Sequence, residues 1–310
     1  MNDNNQKENK YAYEEIDIKE LIGIIWLEKR TIAKFVAAAS ILAVSLSLSM
    51  PNIYTSNAIL APTGGAENLN DSLRAYSGIA SLAGISLPSS SNRNMSDEAL
   101  KMLTTFSFFN ESVLPDIFLP DLMAFESWDA KNNIVKYEDN IFNAKDQKWV
   151  RNVAFPKSII PSPQEAFISF QESFSVFQEQ ETGFITLSIK HQSPNIARAW
   201  LDHIIISINQ KLREDQKKRA LISISYLNSQ MANTNYTEIK QGLSQLIQQE
   251  TEKLMLIEAN EDYVFKVIDP PIAPELKSSP NRPLICIIGS LIGAILGLIF
   301  IFIKRFAFLK

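Results

Sequence analysis

Pro283 to Ile303 reads PLICIIGSLIGAILGLIFIFI, and no charged residue interrupts it. At about 1.5 Å per residue, a helix of this length crosses a hydrocarbon layer of ~30 Å. A buried core helix is the alternative, but an apolar run this long and free of charge favours a membrane span. Within it, glycines fall at every fourth position: Gly289, Gly293 and Gly297. Small residues spaced in this way leave a groove that a second helix can approach closely in lipid. The stretch predicts a transmembrane helix over 283–303 and directs attention to the other end of the chain.

There the residues Ile32 to Met50 read IAKFVAAASILAVSLSLSM, with Pro51 closing the run. Lys34 lies one turn in, where its long side chain can snorkel. A cleaved signal peptide fits poorly. The preceding segment carries Glu14, Glu15, Asp17 and Glu20, and no small-residue cleavage site follows cleanly. The reading is a retained first span over 32–50. Lys19, Lys29, Arg30 and Lys34 precede or open it, and the next cation is Arg74. By the positive-inside rule, residues 1–31 are expected in the cytoplasm. A second span returns the tail 304–310 to the same side, and residues 51–282 are expected as one outward domain. Lys277 and Arg282 oppose that local bias, but the first span usually dominates.

The bulk figures conceal this arrangement. The chain has 310 residues, a net charge of −4 and 46% hydrophobic residues, and its mean hydropathy is −0.03. Two apolar ends and a polar middle average to a value typical of a soluble protein. The absence of a basic surplus gives no electrostatic case for nucleic acid. One cysteine excludes an internal disulfide framework and a cysteine-based zinc cluster, and two histidines do not make a histidine-rich metal site.

In the middle, Tyr54 to Leu60 reads as a strand bounded by Pro62 and Gly64-Gly65. Residues 77–91, small and rich in Gly and Ser, are either a packed loop or a contact surface. Ser96 to Asn110 predicts an amphipathic helix with Ser96 as N-cap. Residues 111–165, with five prolines, predict short elements in a loop-rich stretch. Phe174–Glu179 and Phe184–Lys190 alternate around a Glu181-Thr182-Gly183 turn, the pattern of a hairpin. Ser193 as N-cap and Pro194 at the first helical position then open a long helix, 195–232. Its apolar residues recur at 197, 201, 204, 208 and 212, then at 220, 224, 227 and 231. The charge-rich run 211–219 between them reads as a solvated helix face. Asn233-Thr234-Asn235 predict a turn. A returning helix over 236–261 would face Ile239, Leu243, Leu246, Leu254 and Ile257 inward. Tyr263 to Ile268 predicts a last strand that pairs with the first near the membrane. The prolines 270, 271, 274, 280 and 283 predict a stiff, extended approach to the second span. The fold class expected is α+β: two transmembrane helices flanking a domain with an α/β base and a long helical arm.

Chemistry is hard to place on this chain. It has no GxxxxGK[ST] loop, no GxSxG elbow and no HExxH. His191 and His203 lie off any i, i+4 metal spacing and read as structural. Cys286 lies within a span and reads as an inert apolar residue. No catalytic, cofactor or metal residues are assigned, and no cofactor is expected.

Five segments carry a family resemblance: EIDIKELIGIIWLEKR (15–30), YTSNAIL (54–60), PSPQEAF (161–167), TGFITLSIKHQSPNIARAWLD (182–202) and FKVIDPPIAPELKSSPNRPL (265–284). In order and over nearly the whole chain, the sequence resembles the Wzz-type polysaccharide co-polymerases, the O-antigen chain-length determinants of lipopolysaccharide. That resemblance implies a homo-oligomeric ring in a bacterial inner membrane with a periplasmic domain and no enzymatic activity. It implies a membrane polysaccharide polymerase as partner and a lipid-linked glycan as the material whose length is set. Pro270, Pro271, Pro274, Pro280 and Pro283, with Gly289, Gly293 and Gly297, are the expected assembly and coupling elements. The runner-up is a co-polymerase or export role for capsular, common-antigen-like or exopolysaccharide. A two-span sensor would need a signalling module for which 304–310 leave no room. An export adaptor with a helical hairpin would usually have a single anchor and more β structure.

Overall fold

The computed structural model describes residues 26–63, 95–260 and 262–307. The Gly/Ser-rich stretch 77–91 and most of the 15–30 segment lie outside the described residues. The chain divides into two compact units: Met1–Pro51 with Ser279–Lys310, and Asn52–Ser278.

The first unit is a helical pair. Helix α1 spans Lys29–Ser49. Strand β1 (Tyr54–Pro62) opens the second unit, and the last helix of the chain, Arg282–Ala307, returns to the first. Both helices are long and apolar enough to cross a membrane, over Lys29–Ser49 and Arg282–Lys304. They outrun the apolar stretches 32–50 and 283–303 at their charged ends. Hydropathy delimits what lipid accepts, whereas backbone hydrogen bonding carries on through Lys29, Arg30 and Lys304.

The second unit is α+β. After β1 come α2 (Met95–Leu103), α3 (Phe106–Phe108, continued by a π-helical segment Phe109–Val113) and α4 (Leu119–Met123). Two small hairpins follow, β2–β3 (Phe125–Asp129, Ile134–Tyr137) and β4–β5 (Phe142–Asn143, Lys148–Trp149). Then come α5 (Pro163–Ser173), β6 (Phe174–Gln178), β7 (Ile185–His191), α6 (Pro194–Asn233), α7 (Thr237–Ala259) and β8 (Phe265–Asp269). The terminal helix is α8. One four-stranded sheet, ordered β6-β7-β1-β8, is antiparallel throughout.

Period-two alternation turns Ile185, Leu187 and Ile189 of β7 to the core, with Ala58 and Leu60 of β1 beside them. Against them lie Ala197, Leu201, Ile204, Ile208 and Leu212 of α6, all essentially without solvent contact. The predicted apolar stripe thus holds for the first half of α6. Beyond Ala220 the stripe residues Ile224, Leu227 and Met231 are only half-buried, because α7 alone covers them. On α7 only Leu243 and Ile257 of the five predicted positions are fully buried. Helix α6 is about 60 Å long at 1.5 Å per residue and ends at Asn233, one residue beyond the expected 232.

Some expectations are corrected. The predicted helix 96–110 breaks at Thr104-Thr105. Their hydroxyls donate to the carbonyls of Lys101 and Met102, and Thr105 Oγ1 then accepts from Phe108 N at 3.3 Å as a new N-cap. Ser96 lies inside α2 rather than capping it. Ser193 holds the N-cap position of α6, yet its side chain makes no cap bond. The run 211–219 is no simple solvated face: Leu212 and Gln216 are buried. Its charges pair outward, Lys211 with Glu111, Lys217 with Glu258 and Arg219 with Glu98.

Candidate functional site

The glycine face finds its partner within the chain. An added Cβ at Gly289 would lie 2.4 Å from Ala43 Cβ, and at Gly293 2.7 Å from Ala39 Cβ and 2.9 Å from the Phe35 carbonyl. At Gly297 it would lie 3.2 Å from Ile32 Cα. Lacking side chains, these three residues bring α8 onto the backbone of α1. Ser40 and Ser290 share a hydrogen bond of 2.9 Å within the pair, and Phe35 meets Phe300 at 5.1 Å. At the charged end Lys304 Nζ lies 3.5 Å from Glu28 Oε1. The second helix that the glycine groove accommodates is therefore the chain's own first span.

The prolines do not form one element with those glycines. Pro270, Pro271 and Pro274 belong to the second unit, whereas Pro280 and Pro283 belong to the first. Pro271 is buried and Pro270 exposed. Pro283 is the second residue of α8, where its missing N–H would have had no helical partner. The extended stretch between β8 and Ser278 is tied to β1. Ser56 Oγ donates to the Ile272 carbonyl (2.8 Å), and Ser278 N donates to the Ile53 carbonyl (2.8 Å).

Two polar arrangements, one around the buried His191 that the sequence reads as structural and one half-buried around Glu165, take their partners from the fold. His191, at the end of β7, accepts from Ser193 N through Nδ1 at 2.9 Å. That fixes the proton on Nε2, which donates to the Asp121 carbonyl at 3.0 Å. The imidazole thus satisfies the amide of the N-cap residue itself, whose hydroxyl makes no cap bond. It sits edge-on to Phe125 and Trp200, and burial pushes its pKa below the ordinary value. Nearby, Tyr137 donates to Asp121 Oδ1 at 2.6 Å. Burial, together with that carboxylate, pushes the phenol up, and burial raises Asp121 in turn. The second arrangement centres on Glu165, which closes a capping box with Ser162 and takes an ion pair from Arg151 at 2.7 Å. The Arg151 hydrogen bond, with that from Ser162 N, holds its carboxyl at about 2.

Neither arrangement resembles a catalytic centre. Both ring nitrogens of His191 are occupied by backbone groups. His203 Nε2 lies 2.9 Å from the Ser112 carbonyl and 3.3 Å from Asp116 Oδ2, on the unit's surface. Among the described residues no group of three His, Cys, Asp or Glu could hold a metal ion. The clefts are shallow, one of them lined by Asp97, Leu100, Lys101, Thr104, Val176 and Gln178.

Residues 14–105 match the Wzz family, described as chain length determinant protein. No curated protein matches the chain. Among solved structures, a full-length bacterial polysaccharide co-polymerase aligns with 93% of this chain and 97% of its own, at 14% identity and a TM-score of 0.41. A fragment of WzzB, a polysaccharide co-polymerase from Salmonella Typhimurium, aligns with 74% of this chain and 100% of its own, at 13% identity and a TM-score of 0.30.

Proposed function

We propose that this chain, Wzz-type by the match over residues 14–105, is a non-enzymatic regulator of polysaccharide chain length in a bacterial inner membrane. The observation that carries the reading is that match, which runs from before α1, through the first span and β1, to the end of α2. The architecture supports the membrane part of the reading: two helices long and apolar enough to cross a bilayer precede and follow an α+β unit along the chain. Both termini face the cytoplasm and the second unit lies in the periplasm. The chain acts as a homo-oligomeric scaffold beside a separate membrane polymerase that extends a lipid-linked glycan, with O-antigen as its product. The prolines 270–283 and the glycine face hold the geometry through which scaffold and polymerase are coupled.

The test is deletion of the gene followed by gel analysis of surface polysaccharide. Loss of a preferred length with polymer still displayed supports chain-length control. Loss of display with normal lengths points to export instead. Gly289→Leu and Gly293→Leu should shift the length distribution without abolishing polymerisation. A wild-type banding pattern in those variants would remove the α1–α8 pair from the mechanism.

A further inference from the structure

One end of the second unit is defined by its own two termini. Ser278 donates from its amide and its hydroxyl to the Ile53 carbonyl, at 2.8 and 3.0 Å. Its hydroxyl also meets Thr55 Oγ1 at 2.7 Å, and Lys277 Nζ donates to Asn52 Oδ1 at 3.2 Å. The first and last residues of the unit are thus clasped together. Only Met50 and Pro51 separate Asn52 from the end of α1, and residues 279–281 separate Ser278 from the start of α8. Even fully extended, those connections reach only about 10 and 14 Å.

The residues gathered at this end have a distinct chemistry. Tyr54, two residues past Asn52, packs edge-on against Trp128 of β2 with centroids 5.6 Å apart. Trp128 Nε1 donates to Asn133 Oδ1 (2.9 Å), and Asn195 at the start of α6 donates to the same oxygen (2.8 Å). Those bonds hold the β2–β3 hairpin in place beside Tyr54. Ile134, paired with Asp129 beside the hairpin's turn, is 54% exposed. Leu276, beside the clasp, is 84% exposed. Lys131 at the hairpin turn and Lys277 in the clasp bring positive charge. Single exposed apolar residues need no explanation. Here, however, a Trp–Tyr pair, two aliphatic side chains and two lysines share the end that the chain itself tethers to two membrane spans. Aromatic rings with a polar edge, and lysines with apolar stems, are the residues that partition to the headgroup region of a bilayer.

We propose that Tyr54, Trp128, Ile134 and Leu276, with Lys131 and Lys277, form an interfacial foot. The β2–β3 hairpin seats it in the headgroup layer of the membrane that α1 and α8 cross. The partner is the lipid surface itself, and the inference rests on reading those two helices as spans. The foot fixes the second unit at the bilayer by a third contact beyond its two covalent tethers.

The full chain in liposomes tests this. A form keeping only Trp128 (Trp26→Phe, Trp149→Phe, Trp200→Phe) is compared with one keeping only Trp200, which is buried in the core. Lipids brominated high on the acyl chain should dim Trp128 and leave Trp200 unchanged. Equal Trp128 emission with and without bromine overturns the proposal. Since substitution at Trp200 removes core volume, a second variant leaves that position intact. Leu276→Cys in a Cys286→Ala chain, carrying a nitroxide, should collide with oxygen more than with an aqueous nickel chelate. Water-like collision rates at 276 count against the foot. Flotation separates the two readings. A chain that does not float with liposomes fails as a membrane protein, whereas one that floats with Trp128 and residue 276 in water fails only in the foot.

Discussion

Gly293 illustrates how much a single hydrogen atom decides. A methyl group there would lie 2.7 Å from Ala39 Cβ and 2.9 Å from a backbone oxygen that cannot move aside. Gly293→Leu should therefore cost about 1–3 kcal/mol of α1–α8 pairing, read as a lower melting temperature of the full chain in detergent. Ala39→Gly in the same chain should return part of that loss, and a variant that melts like the parent would refute the contact. His191 offers a different kind of test, because its neutrality is a structural requirement. Protonation puts a hydrogen on Nδ1, facing the Ser193 amide that now donates to it. Its pKa is ordinarily 6.5 and lower in the fold. The unfolded chain thus gains the proton first as pH falls, so stability is full above about pH 6.5 and declines below it. His191→Leu should flatten that acid limb. It should also cost about 1–3 kcal/mol at neutral pH by leaving a buried amide without its acceptor. Denaturant melts of both forms from pH 8 to 5 make the comparison.

At the level of elements, α5 begins with Ser162-Pro163-Gln164-Glu165, in which each end of the first turn satisfies the other. Ser162→Ala should cost about 1 kcal/mol. Glu165 is ionised down to about pH 2 in the fold, against 4.5 ordinarily. Its contribution is complete above pH 4.5 and disappears as pH falls through about 2, so Glu165→Gln should blunt acid unfolding in that window. Helix α6 divides by its surroundings. Leu201→Ala, in the core, should cost about 2–5 kcal/mol, whereas Leu227→Ala, on the half-covered arm, should cost far less. Hydrogen exchange should follow the same line, with amides before Ala220 protected more strongly than those after it.

For the molecule as a whole, the second unit has its own core and its termini hydrogen-bonded to each other. Produced as residues 52–278, it should unfold in one cooperative transition by circular dichroism. A broad, non-cooperative melt would mean that it depends on the spans. Much of this organisation was legible in the chain. Ile185, Leu187 and Ile189 announced β7 by alternation, Ala197 to Leu212 announced the core half of α6, and two long apolar runs announced helices α1 and α8. The rest depended on local competition for backbone groups or on contacts distant in sequence. Nothing local to Thr104-Thr105 says that two hydroxyls will outcompete the backbone there. His191 reaches the Ser193 amide locally, but its other ring nitrogen is held by the Asp121 carbonyl, 70 residues away in the chain. The capping box of α5 is a local signal, but it sits within a proline-rich stretch that reads as loop. Of the proposed coupling residues, the glycine spacing foretold close helix approach, while its partner, α1, becomes apparent only in three dimensions.

That choice of partner has a consequence for any further helix that packs on α8. Because Gly289, Gly293 and Gly297 are covered by the chain's own first helix, the exposed side of α8 is studded with Leu291, Ile292, Ile295 and Ile299. Such a helix cannot reach the α8 backbone through the glycine groove, which α1 fills. On that side it meets branched aliphatic side chains in place of bare backbone, so the closest approach of a further helix is set by their bulk.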